Sequence, residues 1–169
     1  MIGMKKGRYV AHQATSKSDI RAAQALRARC FGVNEDADSF AAQCTHILVR
    51  RQSDDALVCC FRMMPLTAAD ISRSYSAQYY ELTALEAYGG NMVEMGRFCV
   101  DPAVSDPDIL RVAWGAMTAY VDDNKVELLF GCSSFAGTET ADYLDAFAML
   151  KARHLAPKRW LPRVKAPHV

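Results

Sequence analysis

An acid and a base interrupt an otherwise apolar stretch, N-M-V-E-M-G-R-F-C-V-D-P, at residues 91–102. The length and composition of this stretch predict a buried strand. A lone charge in a sheet interior costs several kcal/mol unless it is paired or solvated, so Glu94 and Arg97 are candidates for chemistry as well as for structure. Strict alternation would place these two residues, three apart, on opposite faces. A bulge near Gly96 would bring both to one face, which predicts an active-site strand.

The composition indicates an ordinary globular protein with one domain spanning residues 1–169. It is 51% apolar and 23% charged, and no apolar run approaches the roughly 18 residues needed to span a membrane. The N-terminal M-I-G-M-K-K-G-R lacks the apolar region of a secretory signal. The six cysteines form no C-x-x-C pair, which predicts reduced, buried thiols in a cytoplasmic protein. Neither they nor the four histidines have zinc-ligand spacing, so no metal is predicted.

Positive charge is concentrated at the two ends of the chain. Residues 1–17 carry four basic and no acidic side chains, and residues 150–169 carry six basic and none acidic. The intervening part is therefore acidic, with 10 basic against 19 acidic residues. Basic ends suggest an anionic partner such as phospholipid, nucleic acid or an acidic carrier protein. Solvated ends that aid solubility explain the pattern equally well.

Hydrophobic periodicity divides the chain into alternating strands and helices. The predicted strands are 8–14, 46–51, 56–64, the Glu94 strand and 126–132. The predicted helices begin at Ser16 or Ser18 and end at Phe31, and cover 67–72, 108–123 and 139–153. This order predicts an α/β (mixed α+β) fold with a mixed sheet flanked by helices. The continuous apolar run 126–132 is typical of a strand at the sheet centre.

Two motifs together resemble a known enzyme family. The Glu94 strand, followed by L-L-F-G-C-S-S-F-A-G-T-E at 128–139, resembles the amino-acid N-acyltransferases that make lyso-ornithine lipid, proteins often labelled hemolysins, of the GNAT superfamily. The resemblance covers about residues 8–158 and extends to H-I-L-V at 46–49 and F-R-M-M-P at 61–65. It implies a GNAT-like three-layer fold with a bulged, splayed central strand. It also implies transfer of a (3-hydroxy)fatty acyl group from acyl carrier protein to the α-amino group of ornithine or a related amino acid.

Several positions depart from the pattern of this family. Where relatives carry D-x-F-D-x-x-C-D-H, this chain has D-S-F-A-A-Q-C-T-H, which keeps Asp38 but replaces two acids with Ala41 and Thr45. A third acid is replaced by Tyr79, although Glu81 is nearby. These acids would suit a cationic acceptor, so the acceptor amino acid stays open. Relatives also continue beyond the last helix, so the resemblance predicts a domain shortened at its C-terminal end.

The chemistry of amine acylation assigns roles to the two charged residues of the strand. An ammonium group must lose a proton before it attacks a thioester, so Glu94 is the candidate general base, directly or through one water. Arg97 would orient the carboxylate of the acceptor or hold Glu94 through bidentate hydrogen bonds. Backbone N–H groups of the splayed strand would stabilise the oxyanion. A purely structural pairing of Glu94 with Arg97 is the alternative.

Further pocket residues follow from the resemblance, and some have a structural alternative. Arg62 could be an edge arginine that reaches outward, and His46 could be a structural histidine with satisfied hydrogen bonds. The two serines after the central apolar run are read as hydrogen-bond donors, because G-C-S-S-F lacks the G-x-S-x-G pattern of a serine nucleophile. The predicted substrate-binding residues are Arg27, Phe31, Asp38, His46, Arg62, Glu81, Phe98, Ser133 and Ser134.

The expected donor is acyl-phosphopantetheine on acyl carrier protein, with no bound cofactor. CoA-dependent relatives bind diphosphate on a glycine-containing loop before a helix, but residues 104–109 hold no glycine and two acids. The basic residues Lys151, Arg153, Lys158 and Arg159 would dock the acidic carrier, with peripheral contact to the inner membrane and no nucleic-acid partner. An acyl-homoserine-lactone synthase and a non-catalytic relative that binds acyl chains or carrier protein are the alternatives.

Overall fold

The structure, a computed structural model, describes residues 3–137 and 139–165. Thr138 of the second motif and the ends of the predicted domain, residues 1–2 and 166–169, lie outside these ranges. The strands are β1 (Gly3–Lys6), β2 (Tyr9–Gln13), β3 (Thr45–Arg51), β4 (Leu57–Leu66), β5 (Tyr80–Glu81), β6 (Asn91–Val100), β7 (Val126–Phe130) and β8 (Arg163–Val164). The helices are α1 (Lys17–Phe31), α2 (Pro107–Asp123) and α3 (Leu144–Arg153).

Six strands form one mixed sheet in the order β1-β2-β3-β4-β6-β7. Neighbouring strands are antiparallel except for the parallel pair of β6 and β7. Strands β5 and β8 pair separately with each other. Helix α1 packs on one face of the sheet and α2 on the other, and the predicted mixed sheet flanked by helices is confirmed.

Alternating strand residues divide the core between the two faces of the sheet. Ile47 and Val49 of β3 pack in the large cluster with α2, whereas Leu48 between them packs with α1. A third cluster, under the short 3₁₀ turns between β4 and β6, includes Met64 and Met92. The predicted helix at 67–72 is one of these turns, Ala68–Arg73, so the hydrogen-bonding pattern there is 3₁₀ rather than α.

The helix boundaries follow from local capping. Ser16, rather than Ser18, caps α1 and forms a reciprocal capping box with Asp19. Gly32 ends α1 in the left-handed conformation, with φ of 66°. At the start of α2, the Asp106 side chain accepts a hydrogen bond from the N–H of Asp108, and Pro107 occupies the first turn.

The predicted strands differ from the structure in two respects. Strand β1 was absent from the prediction, because its polar sequence G-M-K-K lacks apolar alternation. The apolar run at 126–132 is not a central strand: β7 ends at Phe130 and, among the described residues, lies at the sheet edge beside β6. An apolar run indicates that a strand packs against a core. It does not distinguish a central strand from an edge strand whose side chains pack on neighbouring turns. Leu128 and Phe130 cover such turns.

In the described part of the chain, no helix is both long enough and apolar enough to cross a bilayer. The final predicted helix is shorter than expected, because a 3₁₀ turn at Thr140–Tyr143 precedes α3.

Candidate active site

A bulge in β6 organises the candidate site. Cys60 of β4 is paired with Cys99, and Arg62 is paired with Gly96, so two steps along β4 correspond to three along β6. The predicted bulge is therefore confirmed. Its left-handed residue is Arg97, with φ of 54°, rather than the glycine before it.

The bulge reverses the alternation of β6 and so brings two charged residues to one side. Before the bulge Val93 packs toward α2, and after it Phe98 does. Cys99 then packs toward α1. Glu94 and Arg97 consequently face the same side of the sheet and line the same cavity. A regular strand would have separated them.

Arg97 adopts a backbone conformation that is unfavourable for a residue with a side chain. The left-handed region costs an L-residue roughly 1–2 kcal/mol. Such strain persists where surrounding contacts over-determine it, and it is concentrated at functional sites. The observed φ is thus consistent with a residue held in place for its chemistry.

The cavity opens where β6 and β7 separate. Their parallel pairing ends at Glu94 and Phe130, after which β6 continues alone beside β4. At Gly131 a Cβ atom would lie 2.2 Å from the backbone oxygen of Met95, so this close approach requires glycine. Beyond this point the chains diverge around a cavity of about 630 Å³. Its lining residues are Phe31, Cys44, Arg62, Met64, Tyr75, Glu94, Met95, Gly96, Arg97, Phe98, Trp114, Cys132, Ser133 and Ser134.

Glu94 is buried and is held by hydrogen bonds from residues 75–76, in the 3₁₀ turns between β4 and β6. The Tyr75 N–H donates to Oε2 at 2.7 Å, and the Ser76 N–H donates to Oε1 at 2.7 Å. The Ser76 hydroxyl also donates to Oε1 through a short hydrogen bond. Peptide dipoles therefore stabilise this carboxylate, and no ion pair with Arg97 is formed among the described residues. Each carboxylate oxygen has two lone pairs, so Oε2 keeps capacity for another proton donor.

The Arg97 guanidinium is positioned by several long contacts. Its Nη2 donates to Asp38 at 3.4 Å and its Nη1 to the Tyr75 hydroxyl at 3.5 Å. Nε lies 3.0 Å from Asp36, yet its N–H finds no acceptor in suitable geometry. Burial opposes the charge, but the Tyr75 hydroxyl and the two aspartates outweigh it and raise the pKa of Arg97. This cation is fixed in place and retains hydrogen-bond donors for an anion.

Asp36, which the sequence analysis missed, links two arginines. Its Oδ2 lies 2.5 Å from Nε of Arg27, which is 1% exposed. Its Oδ1 lies 3.0 Å from Nε of Arg97. Arg27 therefore lies behind the cavity wall and supports the position of Arg97 through Asp36. The signal in the sequence was a buried helical arginine that required an acid, close to the acidic stretch E-D-A-D at 35–38.

Arg62 contributes a second guanidinium to the cavity and, unlike Arg97, is buried. It donates to Asp38 at 2.7 Å and lies over the rings of Phe40 and Tyr75, at 5.8 Å from each centroid. Because β4 is an interior strand, the alternative of an edge arginine reaching outward is wrong. Burial alone would raise the pKa of Asp38, but Arg62 and then Arg97 lower it below its ordinary value. Asp38 therefore remains an anion behind the two arginines.

Arg27 and Asp38 do not line the cavity, and two further predicted pocket residues also lie away from it. His46 is buried, with Nε2 2.9 Å from the Ala41 oxygen and Nδ1 3.4 Å from Arg27. Burial lowers the pKa of His46, which fits the structural alternative of a neutral, hydrogen-bonded histidine. Glu81 accepts hydrogen bonds from the N–H and hydroxyl of Thr83, on the separate β5–β8 pair.

Other predicted residues line the cavity. Phe31 lies 5.7 Å from the Arg97 guanidinium, and Phe98 is stacked between Phe61 and Trp114. Ser133 and Ser134 lie on the loop after β7.

The four predicted docking residues, by contrast, are exposed near the end of the chain. They are Lys151, Arg153, Lys158 and Arg159.

Among residues 3–137 and 139–165, no cluster of three or more His, Cys, Asp or Glu side chains could hold an ion.

A model of the acetyltransferase (GNAT) domain matches residues 23–115, which is more than half of the chain. The L-ornithine Nα-acyltransferase of Rhodobacter capsulatus is 32% identical over 93% of this chain and 68% of its own length. The chain belongs to this GNAT acyltransferase family. The Brucella abortus enzyme of the same name is 29% identical over 92% of this chain and 62% of its own length. Across the curated relatives, this chain spans between 53% and 68% of their length.

The GNAT fold is also shared with a solved structure. FeeM, an N-acyl amino acid synthase from uncultured soil microbes, superposes with a TM-score of 0.55 at 16% identity, over 72% of this chain and 70% of its own. At this identity the likeness concerns the fold. It confirms the predicted three-layer GNAT architecture, with its helix-covered sheet and divergent β6 and β7.

Proposed function

We propose that the protein is an N-acyltransferase that moves a (3-hydroxy)fatty acyl group from acyl carrier protein to the α-amino group of ornithine or a related amino acid. The observation that carries the proposal is the placement of Glu94 and Arg97 in one cavity by the bulge in β6. Relatives named L-ornithine Nα-acyltransferase support the reaction class.

The acceptor amino acid is a zwitterion, and the cavity offers a group for each end. The two Nη atoms of Arg97, which make only long contacts of 3.5 and 3.4 Å, suit its carboxylate through charge-assisted hydrogen bonds. Glu94, whose two oxygens accept hydrogen bonds from peptide N–H groups, can take the proton that the ammonium group must lose before it attacks. Arg62 adds positive potential to the same side of the cavity. Backbone N–H groups of β6 beyond its separation from β7 would stabilise the oxyanion.

The donor acyl chain would lie along the apolar wall of the cavity. Met95, Phe98 and Trp114 line the cavity on the α2 side of the sheet, and Met64 lines it on the other side. Flexible methionines and aromatic rings suit an alkyl chain, because they bury apolar surface without imposing a polar partner.

The start of α2 argues for a carrier-borne donor over CoA. In many enzymes a helix N-terminus binds phosphate through free N–H groups. Here Asp106 occupies that position: Oδ1 accepts from the Asp108 N–H at 3.0 Å, and Oδ2 accepts from Tyr9 and Arg8. A diphosphate would meet a carboxylate there. The exposed basic residues Lys151, Arg153, Lys158 and Arg159 would dock an acidic carrier. We place the reaction in the cytoplasm, with peripheral contact to the inner membrane where the lipid product is used.

An acceptor and donor screen tests this function. Purified protein is incubated with 3-hydroxyacyl carrier protein or with the matching acyl-CoA, each with a panel of amino acids and with S-adenosylmethionine, and the products are read by mass spectrometry. We expect an Nα-acyl amino acid from the carrier donor and little from CoA. No amide with any amino acid contradicts the proposal. Tight carrier binding without turnover indicates a non-catalytic relative, and consumption of S-adenosylmethionine indicates lactone synthesis.

A further inference from the structure

Three side chains from separate segments form a hydrogen-bonded chain beside the cavity. Cys132, in the loop after β7, is exposed, lines the cavity and places its Sγ 3.2 Å from the Ser76 Oγ. The Ser76 hydroxyl in turn donates to Oε1 of Glu94. The proposed function uses the carboxylate but gives no role to the thiol or the hydroxyl. A thiol that is linked to the base through one hydroxyl and lines the same cavity is placed to act on the other reacting group.

We propose that Cys132 is the general acid that protonates the leaving thiolate of the acyl donor, and that Ser76 relays the proton back from Glu94. This inference rests on the proposed function, since it concerns the same cavity and the same thioester donor.

The protons and bonds balance within one turnover. The amine nitrogen forms a bond to the thioester carbonyl carbon, and Glu94 takes a proton from that nitrogen. The carbon–sulfur bond then breaks, and Cys132 gives its thiol proton to the departing sulfur. Ser76 passes its hydroxyl proton to the Cys132 thiolate and receives the proton held by Glu94. The products are an amide and a free thiol, and all three side chains return to their starting forms.

Chemical matching favours a thiol for this step. The acid and the leaving group are both alkyl thiols, so proton transfer between them is nearly balanced in energy, which suits general acid catalysis. Cys44 also lines the cavity, but burial raises its pKa to about 11. No hydrogen bond joins Cys44 to Glu94 among the described residues. The geometry therefore selects Cys132.

Changing the leaving group separates acid catalysis from a structural role. Cys132→Ala and Ser76→Ala are assayed with the acyl carrier donor and with the S-phenyl thioester of the same acyl chain, whose thiolate leaves without protonation. With the carrier donor we expect kcat to fall roughly tenfold to a hundredfold, at the low end for general acids because thiolates leave readily. With the phenyl thioester Cys132→Ala should stay within about threefold of wild type, since no proton is needed. The Ser76 hydroxyl also donates to Glu94, so Ser76→Ala should lose some activity with both donors but clearly more with the carrier donor.

Equal losses with both donors, or no loss with the carrier donor, overturn the relay. An acyl adduct on Cys132 in the intact-protein mass spectrum also overturns it, because the residue would then be a nucleophile. Cys30→Ala is the matched control: this thiol lies outside the cavity, on α1, and donates to the Val100 oxygen. Wild-type turnover, read in the same assay, tests the proposed function separately. If only the relay fails, wild type still forms the amide; if the function fails, no amide is formed and the relay falls with it.

Discussion

Replacing Glu94 with glutamine is expected to lower kcat/KM for acyl transfer by about 10³-fold, within the usual range for loss of a general base. Glutamine has nearly the same shape, but its amide cannot accept the proton that the acceptor ammonium must release. The measurement is amide formation from the acyl carrier donor at neutral pH. The deficit should narrow as pH rises, because water then deprotonates more of the acceptor amine without help from the protein.

The same substitution also has a structural cost that must be measured separately. Both carboxylate oxygens of Glu94 accept backbone N–H groups, so the new amide nitrogen leaves one of those donors unsatisfied. This costs about 1–3 kcal/mol of stability, which thermal unfolding would show. Glu127→Gln, on the exposed face of β7, is a matched control that should behave as wild type. A pH-independent deficit, or one explained by the fraction unfolded, would contradict the role as base.

Arg97→Lys is expected to raise KM for the amino-acid acceptor by roughly 10²-fold, with a smaller change in kcat. Lysine keeps the charge but loses the planar pair of donors that binds a carboxylate, a loss of about 2–3 kcal/mol for a charge-assisted contact. The measurement is the dependence of initial rate on acceptor concentration at saturating donor. KM for the donor should change little, because the proposed donor contacts are with the apolar wall and not with Arg97.

Arg50→Lys is the control for this effect. Arg50 lies on β3 and pairs with Asp19 and Asp55, outside the cavity. A further comparison uses acceptors without a carboxylate: an amino-acid amide should bind wild type poorly and be affected little by Arg97→Lys. If the variant loses the same factor with the amide as with the free amino acid, Arg97 does not bind the acceptor carboxylate.

Much of the fold was predictable because its determinants are local. Ser16 and Asp19 have the sequence spacing of a capping box, and Pro107 marks the start of α2. The bulge was also predictable, because a buried acid and base three residues apart need one face. The conformation of the bulge was not, since glycine is the usual left-handed residue and here arginine takes that place.

The partners of the charged residues depended on long-range contacts that spacing does not show. A pairing of Glu94 with Arg97 was the structural alternative, but the turn after β4 supplies Tyr75 and Ser76 as the donors to Glu94. Asp36 was missed because its role depends on how the loop after α1 folds back toward β6. An aspartate in a polar loop has no periodicity that distinguishes it from solvated neighbours.

A crystal structure of the protein with L-ornithine tests most directly whether the bulged strand β6 presents Arg97 and Glu94 to the same substrate. The acceptor carboxylate is expected on the Arg97 guanidinium, with the α-amino nitrogen within hydrogen-bond reach of Oε2 of Glu94. Ornithine bound in the cavity with its carboxylate away from Arg97, or with its α-amino group out of reach of Glu94, would contradict this assignment.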